Sequence, residues 1–281
     1  MKALLPLIAV LGAVPGVQAA PAAEPDLPPR EFVYKRVGDT ALKVAVFTPP
    51  AATSKKLPAV AVFHGGGWSQ GKLEWTFGDA RRCAAQGWIG IGVQYRLSNQ
   101  ADITPLEAIA DARDAIRWIR LHAVELGVDP KHVAALGWSA GGHLAAMTAA
   151  LVDPLAEIDA SAVPDALVLW FPALSLELDD WIPGLLHGRA DRRQISPDQY
   201  VRPGWPPTLI LTGRKDTSTP IPGAEKFHRL MLAAGNRCEL HVYETVGHSF
   251  EDTPGHIDPV VSADSKQRSY DFLRAVGFGP P

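Results

Sequence analysis

The chain has 281 residues, with 27 Lys and Arg against 30 Asp and Glu, and 47% of its residues are hydrophobic. A formal charge of −3 excludes a protein that holds nucleic acid by bulk positive charge, and the composition is that of a chain able to bury a large core. No self-similar period marks a solenoid and nothing internal reads as a flexible linker, so a single large α/β domain is expected.

In chain order the first nineteen residues stand apart. Lys2, the apolar run Ala3 to Val14 and the small residues of Val17-Gln18-Ala19 predict a cleaved leader over 1–19 and a secreted or periplasmic protein. The twelve-residue run reaches about 18 Å at ~1.5 Å per residue, short of a ~30 Å hydrocarbon core, so no stable membrane anchor is expected after processing. Proline-rich residues 20–30 are expected to be a disordered tether, leaving 31–281 as the catalytic domain.

Phe32 to Arg36 and Leu42 to Phe47 alternate like an antiparallel pair joined at Gly38-Asp39. Ala59 to Phe63 is continuously apolar, as in a strand buried on both faces, and ends in His64-Gly65-Gly66-Gly67-Trp68. Consecutive glycines there leave backbone N–H groups unshielded and free to meet a developing negative oxygen. No phosphate-binding glycine pattern is present, and His64 reads as a residue that braces the loop. After the strand Ile89 to Val93 comes a helix signal at Thr104-Pro105-Leu106-Glu107, a capping box with Pro at the first helical position. Its core stripe is Ile109, Ala112, Ile116 and Ile119.

The strand Val133 to Gly137 runs into Gly137-Trp138-Ser139-Ala140-Gly141-Gly142 and a further helical pattern. This spacing suits a nucleophile in a strained strand-to-helix turn, with the helix N-terminus adding positive partial charge. The next strands are Ala166 to Phe171, Thr208 to Thr212, followed by Gly213-Arg214-Lys215-Asp216, and Glu239 to Thr245, followed by Val246-Gly247-His248-Ser249-Phe250. Between the first two lies a segment, about 172–206, where Trp181, Ile182, Leu185 and Leu186 predict a short helix over the site as a small cap. Strand–helix alternation implies a mostly parallel, eight-stranded sheet with helices on both faces, whose active site lies at the carboxyl ends of the strands. A serine nucleophile needs a base and the base an orienting carboxylate, which makes Ser139, His248 and Asp216 the candidates. His228, His241, His256, Asp179, Asp180 and Glu251 read as ordinary polar residues.

His64 to Trp68, Tyr95-Arg96-Leu97-Ser98, Gly137 to Gly142, Gly213 to Asp216 and Gly247 to Phe250 resemble the α/β-hydrolase superfamily. More narrowly they are similar to esterases related to hormone-sensitive lipase and to small acetyl/feruloyl esterases with the H-G-G-G-W loop. The resemblance implies an α/β-hydrolase fold, a triad of Ser139, Asp216 and His248, and an oxyanion hole from the backbone N–H groups of Ala140, Gly66 and Gly67, with the choice of donating glycines left open. It implies a serine carboxylesterase acting on short-chain acyl esters, small-molecule or carbohydrate-linked, with no cofactor. Trp138 departs from the Asp that many relatives of hormone-sensitive lipase carry beside the nucleophile. Arylformamidases share the H-G-G-x-W loop, so formamide hydrolysis stays open, as do a peptidase and a non-catalytic hydrolase-fold binding protein. Trp68, Trp138 and Trp181 are the candidate substrate-binding residues, with Trp68 and Trp75 expected to be exposed near the site.

Cys83 and Cys238 fit no metal or redox spacing and are expected to be buried free thiols. The nine His are scattered, with no metal-ligand cluster, so no metal is expected. The oligomeric state is left open.

Overall fold

The computed structural model describes residues 28–50, 56–99, 102–150, 161–178 and 182–279. The expected leader, most of the tether, Asp179, Asp180 and Trp181 lie outside them. Strand β1 (Arg30–Val37) pairs antiparallel with β2 (Thr40–Phe47), and Arg30 faces Val46 across the ladder. The sheet therefore begins inside the span expected as tether. β3 (Leu57–Phe63), β4 (Ile89–Val93), β5 (Val128–Trp138), β6 (Ala166–Trp170), β7 (Thr208–Gly213) and β8 (Cys238–Tyr243) complete eight strands in the order β1-β2-β4-β3-β5-β6-β7-β8. β2 runs antiparallel to both its neighbours, β1 and β4; all the other pairings, from β4 through β8, are parallel.

All eight expected strands form, β4 with the expected ends and the others shifted at one end or both. β5 starts earlier than its apolar run because Val128 already pairs with Leu57, before an irregularity that resets the register at Val133. β6 stops one residue early, where Phe171 turns to a φ of 35°.

Because β3 is buried on both faces, Ala59, Ala61 and Phe63 join one core while Val60 and Val62 join the other. The first core is covered by α2 (Pro105–Leu121), α4 (Ala140–Ala150) and α6 (Ile221–Ala233), the second by α1 (Phe77–Ala85) and α7 (Pro259–Ala275). A short α3 (Ala123–Leu126) follows α2. The capping box forms as expected: Thr104 Oγ1 accepts from the Leu106 amide at 3.3 Å and Glu107 Oε2 from the Thr104 amide at 2.8 Å. Ile109, Ala112, Ile116 and Ile119 are all buried. Cys83 and Cys238 are buried, unpaired and in opposite cores, which keeps them apart.

The segment expected to cap the site corrects that expectation. Its helix, α5 (Ile182–Leu186), buries Ile182 and Leu186 in the core shared with Ile109 of α2, and no α5 residue lines the cleft described below. The same segment is stapled to α6 through Asp198. Its buried carboxylate accepts from Ser175 Oγ at 2.8 Å and Ser196 Oγ at 2.5 Å, and pairs with Lys226 Nζ at 2.6 Å.

Candidate active site

The carboxyl ends of β3, β5, β7 and β8 deliver four loops to one edge of the sheet. At the end of β5, Ser139 adopts a φ of 53°, a left-handed conformation unusual for a residue with a side chain. Its amide donates to Trp170 O at 3.0 Å, and its carbonyl accepts from the His143 amide at 3.1 Å as α4 begins. Glycine is required on both sides by close approach. A Cβ on Gly137 would stand 2.2 Å from Gly141 O, and one on Gly141 2.1 Å from Phe63 O. The serine thus perches where strand and helix backbones touch.

His248, after β8, places Nε2 3.0 Å from Ser139 Oγ and Nδ1 2.8 Å from Asp216 Oδ2, after β7. The Asp216 side chain is fully buried while that of His248 keeps 26% of its surface, so the base reaches solvent and the acid does not. Phe171, also at a left-handed φ, lies edge-on to the imidazole with ring centroids 4.9 Å apart. The structure thus brings together all three residues singled out for acyl transfer. Thr219 was not among them. Its amide and that of Ser218 each donate to Asp216 Oδ1 at 2.8 Å, and its hydroxyl lies 2.9 Å from Oδ2. The Asp-x-x-Thr spacing is the signal that could have revealed it.

Opposite the serine, the loop after β3 runs through Gly66 and Gly67 at φ 115° and 57°. Among the described residues neither glycine amide has a backbone acceptor. Ala140 opens α4, where the first amides have no partner within the helix. Gly66 and Gly67 line the same cleft as Ser139, and Ala140 follows the serine directly in the chain. His64 is buried as a brace: its Nδ1 is 2.7 Å from Gly65 O, Tyr95 stacks on it at 4.3 Å, and burial pushes its pKa down.

Gly65 to Trp68, Trp75, Trp138, Ser139, Ala173, Ser218, Thr219, His248 and Ser249 line a cleft of about 420 Å³. Trp68 corrects an expectation. It is 1% exposed because its indole is turned inward onto His143, whereas Trp75 is 47% exposed. Trp138 packs beside Gly65, where a Cβ would meet its ring at 2.8 Å. A larger hollow of about 740 Å³ opens around Lys56, Pro130 and Pro206, near the starts of β3, β5 and β7, and none of Ser139, Asp216 and His248 lines it. The histidines read as ordinary polar residues are engaged elsewhere: His228 Nε2 meets Cys238 O at 3.2 Å, His241 packs edge-on against Tyr243, and His256 pairs with Asp252 at 2.7 Å.

A family model described as BD-FAE matches residues 45–163. Carboxylesterase NlhH of Mycobacterium tuberculosis is 36% identical over 162 residues, which cover 55% of this chain and 48% of that protein. The chain therefore spans about half the length of this curated relative. Esterase 2 of Thermogutta terrifontis with butyrate bound superimposes with a TM-score of 0.81 at 32% identity, covering 92% of this chain and 97% of that one. The same esterase phosphorylated by paraoxon gives the same score, identity and coverage.

Proposed function

Because the chain belongs to the α/β-hydrolase serine esterases of the hormone-sensitive-lipase-like type, we propose that it hydrolyses short-chain carboxylic esters by acyl transfer through Ser139. The observation that carries this reading is the hydrogen-bond line Asp216–His248–Ser139, at 2.8 and 3.0 Å. In the reaction His248 Nε2 takes the Ser139 proton as Oγ adds to the carbonyl, while Asp216 holds the opposite ring N–H and so selects the tautomer. The amides of Gly66, Gly67 and Ala140 receive the oxyanion, worth a few kcal/mol of barrier. His248 then gives its proton to the departing alcohol. Water repeats the addition on the acyl-serine and frees the acid.

Among the described residues, His248 is the one ionisable side chain lining the cleft, a lining that suits an uncharged ester. Trp75 and Trp138 offer ring faces and Ser218 and Ser249 hydroxyls, a mixture suited to an acetyl or feruloyl group on a carbohydrate. The butyrate-bound neighbour supports a short acyl group. The reading includes export, with residues 1–19 removed, and intact-mass analysis of the exported protein should give an N-terminus near Ala20.

The test is a nitrophenyl ester series with acetylated xylan, methyl ferulate and N-formylkynurenine alongside. Activity should favour acetyl over butyryl and fall steeply by decanoate, since each added CH₂ gains its ~0.8 kcal/mol only against new apolar wall. A peak at decanoate rejects the short-acyl reading, and N-formylkynurenine as the best substrate replaces it with formamide hydrolysis. Ser139→Ala should lose several orders of magnitude and Asp216→Asn roughly 10⁴-fold, while Glu251→Gln should be mild. Paraoxon should label wild type and spare Ser139→Ala.

A further inference from the structure

One buried side chain outside the triad touches both halves of the site. His143 sits in the first turn of α4 with no exposed surface. Its amide donates to the carbonyl of Ser139 at 3.1 Å, its Nδ1 lies 3.2 Å from the indole Nε1 of Trp68, and its Nε2 lies 2.6 Å from the carbonyl of Ile195. An indole N–H only donates and a carbonyl only accepts, so the ring carries one proton, on Nε2, and is neutral. With both nitrogens engaged and no contact to the Ser139 hydroxyl, it is not a second base.

The two residues it ties are both strained. Ser139 and Trp68 hold φ values of 53° and 57°, and Trp68 directly follows the left-handed Gly66 and Gly67. Side-chain-bearing residues keep such backbone only where their surroundings over-determine it. At Trp68 the carbonyl accepts from the Ser98 amide at 2.7 Å, and the indole is held by the His143 bond and by edge-on ring packing at 4.8 Å.

We propose that His143 is a positioning residue that sets the distance between the glycine loop and the nucleophile, gripping Trp68 with its ring and Ser139 with its backbone. The inference rests on the acyl-transfer reading above. Releasing the indole lets the loop relax away from Ser139, and the amides that meet the oxyanion move with it. The deficit belongs to the transition state, where the oxyanion exists, and substrate affinity is spared.

The experiment compares His143→Leu, His143→Asn, Trp68→Phe and the Leu/Phe double variant, reading kcat, KM and affinity for a trifluoromethyl ketone that forms a tetrahedral oxyanion. His143→Leu and Trp68→Phe should each lower kcat by roughly 10- to 100-fold, with KM within about threefold and ketone affinity falling in parallel. The double variant should be no worse than His143→Leu, because the indole–imidazole bond that Trp68→Phe removes is already lost in it. Asn, whose Oδ1 stands near the position of Nδ1, should recover kcat to within about fivefold of wild type. Wild-type kcat in either single variant, additive losses, a defect confined to KM, or no recovery in Asn overturns the inference. Should His143→Leu fail to fold, Trp68→Phe, which keeps an aromatic ring in place, decides alone. Ser139→Ala separates the two levels: if it retains turnover the acyl-transfer reading falls, and if it is dead while Trp68→Phe is fully active only this inference falls.

Discussion

At Asp216 three N–H groups converge on one buried carboxylate, the Ser218 and Thr219 amides on Oδ1 and His248 Nδ1 on Oδ2, and the Thr219 hydroxyl sets its single proton between Oδ2 and the Phe171 carbonyl. The hydroxyl also stands 3.0 Å from the carbonyl of Phe171, the residue whose ring packs on His248. Thr219 thus links acid, base and the end of β6, and it fixes the carboxylate in the orientation His248 needs. Thr219→Val keeps the shape and removes the proton. It should lower kcat by about tenfold and stability by about 1 kcal/mol, and Thr219→Ser should restore most of both. Steady-state kinetics and a denaturant melt check this, and wild-type kcat in the valine variant would show that the hydroxyl positions nothing.

For whole elements, the segment 172–206 shows how an apolar pattern can be read correctly and still be misplaced. Ile182 and Leu186 do form one buried helical face, but α2 supplies the matching surface and the helix becomes part of the core. The Asp198 cluster completes the attachment, since its buried carboxylate meets Lys226 from α6 as well as two serines of its own segment. Burial raises the Asp198 pKa, but Lys226 and the two serines outweigh it and hold the carboxyl below its ordinary range. Lys226→Met leaves that charge with neutral partners only, the two serine hydroxyls and the Gln199 amide, and should cost about 3 kcal/mol, because a buried charge stripped of its counter-ion is strongly destabilising. Urea unfolding of the variant measures the loss, and a cost under about 0.5 kcal/mol would place the pair among surface contacts.

Across the whole molecule, folding buries two neutral imidazoles behind the active-site edge. Burial pushes His143 down to about 4 from an ordinary value of 6.5, outweighing its bond to the Ile195 carbonyl, and it lowers His64 as well. A depressed folded pKa means that between about pH 6.5 and 4 the unfolded chain binds a proton the folded chain refuses. Stability fully present above pH 6.5 is therefore lost as pH falls through about 4, by up to about 3 kcal/mol from His143. Urea midpoints at pH 7.5 and 4.5 should show this fall, with a shallower slope in His143→Asn; equal slopes would assign the acid sensitivity elsewhere. Features that depend on neighbours along the chain were legible in the sequence. Alternating or continuous apolar runs specified the eight strands, a capping box started α2, and short strand-end motifs marked Ser139, Asp216, His248 and the loop glycines, because a strained turn or close backbone approach demands particular residues at fixed spacing. Tertiary structure alone decided which strands adjoin, where α5 seats, that Trp68 turns inward, and that His143 and Thr219 hold the site's geometry. Those outcomes depend on contacts between residues far apart in the chain, such as Trp68 with His143 and Phe171 with Thr219, and on which of several apolar surfaces is near enough to be buried.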